Sequence, residues 1–168
     1  MKKRILWIFA TLLLVFISIF IAILMIVKYN HFWKYSADYE SFSNEFNLVK
    51  DYIRKEYSDE SDKWLAVSNN GSDGISLFDP DDKMYLVLPE DILLSLESIR
   101  NGAFPDKDSN FDKIRIQNGR VSFCIENGEY ALVYSPDKKP TCVNSPQENV
   151  DVKVKAIADG WFHVTKDK

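Results

Sequence analysis

The 168-residue chain is poor in the side chains that do covalent or metal chemistry. It has two histidines, His31 and His163, and two cysteines, Cys124 and Cys142. Neither histidine has a second histidine or a cysteine at metal-ligand spacing. No G-x-S-x-G elbow, phosphate loop, dinucleotide fingerprint or H-E-x-x-H is present. Asn69–Gly74 loosely echoes a calcium loop, but Pro80 stands where the closing carboxylate belongs, so a solvated turn is expected. Nothing marks out two carboxylates for glycoside hydrolysis. The expectation is a protein that is not an enzyme and takes no cofactor and no metal. Glycine and proline are scarce too, six of each, and neither occurs between residues 2 and 70.

Charge is missing over one long stretch. Ile5–Val27 runs 23 residues without a charged side chain. As a helix it would be about 34 Å long, enough for a hydrocarbon core of roughly 30 Å. A small domain has no place for a helix apolar all round. The run is too long for a cleaved signal and lacks a small-x-small exit, so it reads as an uncleaved signal anchor. Lys2, Lys3 and Arg4 cluster at one end, whereas Lys28 and Lys34 are diluted by aromatic residues at the other. The N-terminus is therefore expected in the cytoplasm and the C-terminal domain outside a cell inner (plasma) membrane. Expected divisions are a cytoplasmic tail (1–4), a transmembrane anchor (5–27), a juxtamembrane amphipathic helix (28–60) and an extracytoplasmic β-rich domain (61–168). A pilin-like anchor would carry Gly and Glu at the head of such a run, and residues 5–27 hold neither, so no family is assigned.

Beyond the tail, 18 Lys and Arg face 25 Asp and Glu, a net charge of −7. That argues against nucleic acid, whose binding rests on neutralising phosphates, and permits a basic protein partner. Cys124 and Cys142 both lie outside by this reading. A bridge between them would close about 19 residues, worth ~3 kcal/mol in the chain-entropy model, and a disulfide is expected, with two buried thiols as the alternative.

After the anchor, Tyr35, Tyr39, Phe42, Phe46, Val49 and Ile53 fall at spacings of four and three. This stripe has two readings, cover for the protein's own sheet or a seam for self-association. Two-stranded seams prefer Ile, Val and Leu with charged flanks. Here the flanks include Ser36, Ser41, Ser43 and Asn44, so packing on the chain's own sheet is favoured. Tyr35, Tyr39, Phe42 and Phe46 are the candidate interaction residues on the other reading.

The remainder reads as hairpins. "WLAV" and "ISLF" flank a glycine-containing turn, and "KMYLVL" follows "DPDD". "PEDILLSLESIRNG" reads as a short helix, with Pro89 at its first position and Gly102 as a left-handed cap. "QNGR", "ENGE" and "ADG" separate further strands. Pairing across "ENGE" sets Phe123 opposite Leu132, and Val121, Phe123, Ile125, Tyr130, Leu132 and Tyr134 then share an apolar face that needs cover.

The fold class expected is α+β, with an N-terminal transmembrane helix continuing into the amphipathic helix, then an antiparallel sheet with one short additional helix. The function expected is a single-pass, membrane-anchored binding protein of the bacterial envelope, such as an inhibitor or immunity-type protein. The alternatives are a subunit of a membrane complex recruited through its helices and, less favoured, a small carboxylate-based hydrolase.

Overall fold

The structure, a computed structural model, describes residues 13–25, 36–69, 74–104, 111–125, 129–141 and 151–167. The chain divides into two compact units, Met1–Lys34 and Tyr35–Lys168. In the first, residues 13–25 form a helix (α1). Its apolar side chains, Leu14, Phe16 and Phe20 among them, are exposed. Ser18 returns its hydroxyl to Leu14 O (2.9 Å), so its one polar group is satisfied within the helix. Among the described residues no helix is long and apolar enough to cross a membrane; the two ends of the uncharged run lie outside them.

The second unit is α+β. Its strands are β1 (Lys63–Asn69), β2 (Ile75–Asp79), β3 (Met84–Tyr85), β4 (Phe111–Gln117), β5 (Arg120–Ile125), β6 (Tyr130–Tyr134), β7 (Val152–Ala158) and β8 (Trp161–Lys166). They make one antiparallel sheet in the order β3-β2-β1-β4-β5-β6-β8-β7. Helix α2 (Ser43–Glu56) packs against α3 (Glu90–Ser98) and β5, and α3 also against β2, so both helices share one face. Helix α3 carries the chain from the β3 edge back to β4, which is why β4 lies beside β1 rather than β3.

The turn chemistry behaves as expected at two hairpins. Asn118 and Gly119 both have positive φ (49° and 77°), closing β4 onto β5 with Gln117 opposite Arg120. Gly160 (φ 71°) does the same between β7 and β8. Phe123 stands opposite Leu132, as the "ENGE" pairing requires. The stripe also goes where it was expected. Phe46, Val49 and Ile53 are fully buried, and the Phe46 ring meets Phe123 edge-on at 5.0 Å. Tyr39 lies tilted against Trp161 (ring centroids 5.0 Å), Phe42 packs against the same core, and Tyr35 lies outside the described residues.

Four features depart from the sequence reading. The helix begins only at Ser43, because residues 36–42 are coil and turn. Ala37 N–H donates to the Tyr130 hydroxyl (2.8 Å) and Asp38 N–H to Ala103 O (2.6 Å), which draws their backbone out of a helical ladder. Pro89 is the residue before α3, not its first position. Gly102 is not a left-handed cap. It sits in a π-helical turn (Ile99–Ala103), where an added Cβ would lie 2.4 Å from Phe42 Cζ, so it is there for close approach. Finally, the sheet is not apolar on one side only. Cys124, Ala131, Val133 and Val164 form a second buried cluster on the face away from the helices.

Candidate functional site

Lys63, at the start of β1, and Asp79, at the end of β2, form an ion pair of 2.7 Å with side chains 8% and 2% exposed. The hydrogen bond to Asp79 raises the Lys63 pKa against the opposing effect of burial. Burial pushes the Asp79 carboxyl up, but Lys63 and the N–H groups of Asp82 and Asp81 outweigh it and hold the pKa below the ordinary value. Those two N–H groups donate to Asp79 Oδ1 at 3.4 and 3.1 Å, so the same carboxylate ties the "DPDD" turn to the sheet. Both charges are spent on structure.

His163, in β8, is buried. Its Nδ1 lies 2.5 Å from the Tyr130 hydroxyl. That hydroxyl also accepts the Ala37 N–H, which leaves its own proton available to Nδ1. Burial, aided by the Lys155 charge, lowers the His163 pKa to about 4. Burial pushes the Tyr130 phenol well above its ordinary value. The pair anchors residues 36–38 to the sheet. Among the described residues no three His, Cys, Asp or Glu side chains are grouped to hold a metal ion.

Cys124 is a free, buried thiol on the face away from the helices, and burial pushes its pKa up to about 12. Its expected disulfide partner, Cys142, lies outside the described residues. Of the four candidate interaction residues in the stripe, Tyr39, Phe42 and Phe46 pack in the core of their own chain.

The surface with binding character lies elsewhere. Strand pairing aligns Tyr85, Phe78, Ala66, Lys113, Cys124, Ala131, Val164 and Val154 in one row across all eight strands, on the face away from the helices. The β5-β6-β8 half of this row is buried. The β3-β2-β1 half is open. There Tyr85 is 51% exposed and Trp64 41%, and Phe78 lies half-buried beside Tyr85 with ring centroids 5.1 Å apart. Lys113 Nζ sits over the Trp64 ring at 5.2 Å, and Arg115 makes a two-pronged bond to Asp62 at 2.9 and 2.6 Å. Large rings in the open, small residues (Ala66, Ser68, Ser76) between them and a polar margin are the makings of a contact surface. The sequence hinted at it only as aromatic residues at the outward positions of β1, β2 and β3.

Comparison with family models, with curated proteins and with solved structures finds no match to this chain.

Proposed function

We propose that the chain is a membrane-anchored, extracytoplasmic binding protein of the bacterial envelope that acts without catalysis. The apolar run 5–27 holds it in the inner (plasma) membrane with the N-terminus inside. The folded unit from Tyr35 onward meets a protein partner through the open half of the outer sheet face. One observation carries this reading: Trp64 and Tyr85 stand exposed together on the sheet face away from the helices, with the Phe78 ring half-buried beside them. Aromatic residues are enriched at the centres of interfaces. The buried ionisable groups support it, since Lys63, Asp79 and His163 are occupied by partners within the fold. The acidic balance of the outer part favours a basic partner, as for an inhibitor or immunity-type protein whose target is a basic toxin or wall hydrolase. The alternative is a subunit of a membrane complex held through its apolar run; α1 favours it by exposing its apolar side chains.

The two separate in one experiment. A fragment of residues 35–168, immobilised and exposed to solubilised envelope, is expected to retain the partner, and Trp64→Ser with Tyr85→Ser to lose it. A partner retained only by the full-length chain promotes the complex-subunit reading.

A further inference from the structure

We infer that the β3 edge of the sheet is a strand-addition site for an extended, basic-flanked segment of the partner protein. The inference deepens the binding reading above and rests on it.

Among the described residues the sheet ends at β3, where Met84 and Tyr85 are laddered to β2. The chain nevertheless stays alongside β2, because Leu86 N–H donates to Leu77 O at 2.9 Å. In an antiparallel pair, consecutive residues turn their N–H and C=O to opposite sides. Since Leu86 faces β2, Tyr85 and Val87 direct theirs outward, at the open edge. An incoming strand needs such alternating donors and acceptors.

The side chains along this edge suit a protein strand. Residues 84–88 are "MYLVL", uncharged and rich in strand formers. Val87 is 95% exposed and Met84 is 51% exposed. An apolar edge left open is a pairing template unless charge or proline guards it. Here the charges stand at the ends. Asp81 and Asp82 precede the edge and Glu90 and Asp91 follow it, all exposed, with Lys83 as the one basic residue, a net charge of −3 over residues 81–91. Asp82 is partly engaged by Lys63 at 3.8 Å and Asp91 accepts the Ile92 N–H. This arrangement repels a second copy of the same edge, which would bring like charges together at both ends. It welcomes a segment with alternating apolar residues and Lys or Arg at its ends. Main-chain bonds at Tyr85 and Val87 supply the register, and the Tyr85 and Phe78 rings offer apolar surface to its outward side chains.

The test uses full-length protein in detergent and a fluorescent peptide, Lys-Lys-Val-Thr-Val-Thr-Val-Lys-Lys. Saturable binding is expected. Exchanging every Lys for Glu is expected to weaken it by about tenfold or more, and so is raising the salt. Methylating alternate amide nitrogens should abolish it. Val87→Pro removes one outward N–H and should weaken binding with the circular dichroism unchanged; if that variant does not fold, Val87→Lys serves, by repelling the basic peptide. Equal affinity for the Lys and Glu peptides, indifference to methylation, or undiminished binding to the folded Val87 variant overturns the assignment. So does a native dimer that Val87→Pro turns into a monomer, because the occupant is then a second copy. No peptide binding by a chain whose 35–168 fragment still retains a partner through Trp64 and Tyr85 overturns the edge alone; loss of both overturns the binding reading.

Discussion

Replacing Phe46 by Ala probes the join between the helix layer and the sheet. The ring is fully buried and lies within 5.0–6.4 Å, centroid to centroid, of the rings of Tyr39, Phe104, Phe123 and Trp161. Four neighbours from four parts of the chain give the site little room to collapse. Removing the ring forfeits its transfer free energy and leaves a cavity, about 3–5 kcal/mol together. That rivals the stability of a small domain, about 5–15 kcal/mol in all. Leu48, on the exposed side of the same helix, is the control. Its change to Ala should alter stability by no more than about 0.5 kcal/mol. Urea unfolding of residues 35–168, followed by tryptophan fluorescence, measures both, because Trp161 lies 6.0 Å from Phe46. Sedimentation should show a monomer throughout. A loss below about 1 kcal/mol, with a native dimer that the variant converts to a folded monomer, would refute the packing argument and restore the stripe as a seam between chains.

Three further outcomes are expected. Asp79→Asn leaves the Lys63 ammonium buried without its counter-charge and should cost about 3–5 kcal/mol, whereas Lys63→Met with Asp79→Leu should recover most of that; equal losses from the single and double variants would contradict the ion-pair account. His163 titrates at about 4 in the fold against an ordinary 6.5, so the unfolded chain takes up the proton first as the pH falls. Stability should drop between pH 6.5 and 4 and level off below, by at most ~3 kcal/mol, and His163→Asn should flatten that window in urea midpoints measured across it. Alkaline phosphatase fused after Lys168 should be active if the C-terminus lies outside the membrane; activity only from a cytoplasmic reporter would reverse the orientation.

Much of the fold was legible because it depends on local patterns. The spacing of Phe46, Val49 and Ile53 marks one helix face, and paired asparagine and glycine residues mark the β4–β5 hairpin. What was missed depends on distant partners. Nothing near Ser36–Phe42 stops a helix; the stop comes from Tyr130, 93 residues away, and from Ala103. The same tyrosine explains why His163 is buried. The second buried cluster had a readable signal in "VSFCI" and "YALVY", which are apolar at both outward and inward positions, the mark of a strand covered on two faces. "KMYLVL" reads as an ordinary strand, and no local pattern says that the sheet ends there. The aromatic residues of β1, β2 and β3 therefore become one surface only once strand order is known, since Trp64, Phe78 and Tyr85 become neighbours only through pairing.

Photo-crosslinking in living cells bears most directly on the binding surface. A photoreactive phenylalanine analogue is placed at Trp64, at Tyr85 and, as control, at Lys55 on the exposed side of α2. Positions 64 and 85 should each give one discrete adduct with a second protein, and position 55 none. Adducts from Lys55 equal to those from the sheet face, or none from Trp64 and Tyr85 in cells that hold the chain in their membranes, would contradict the proposed binding surface.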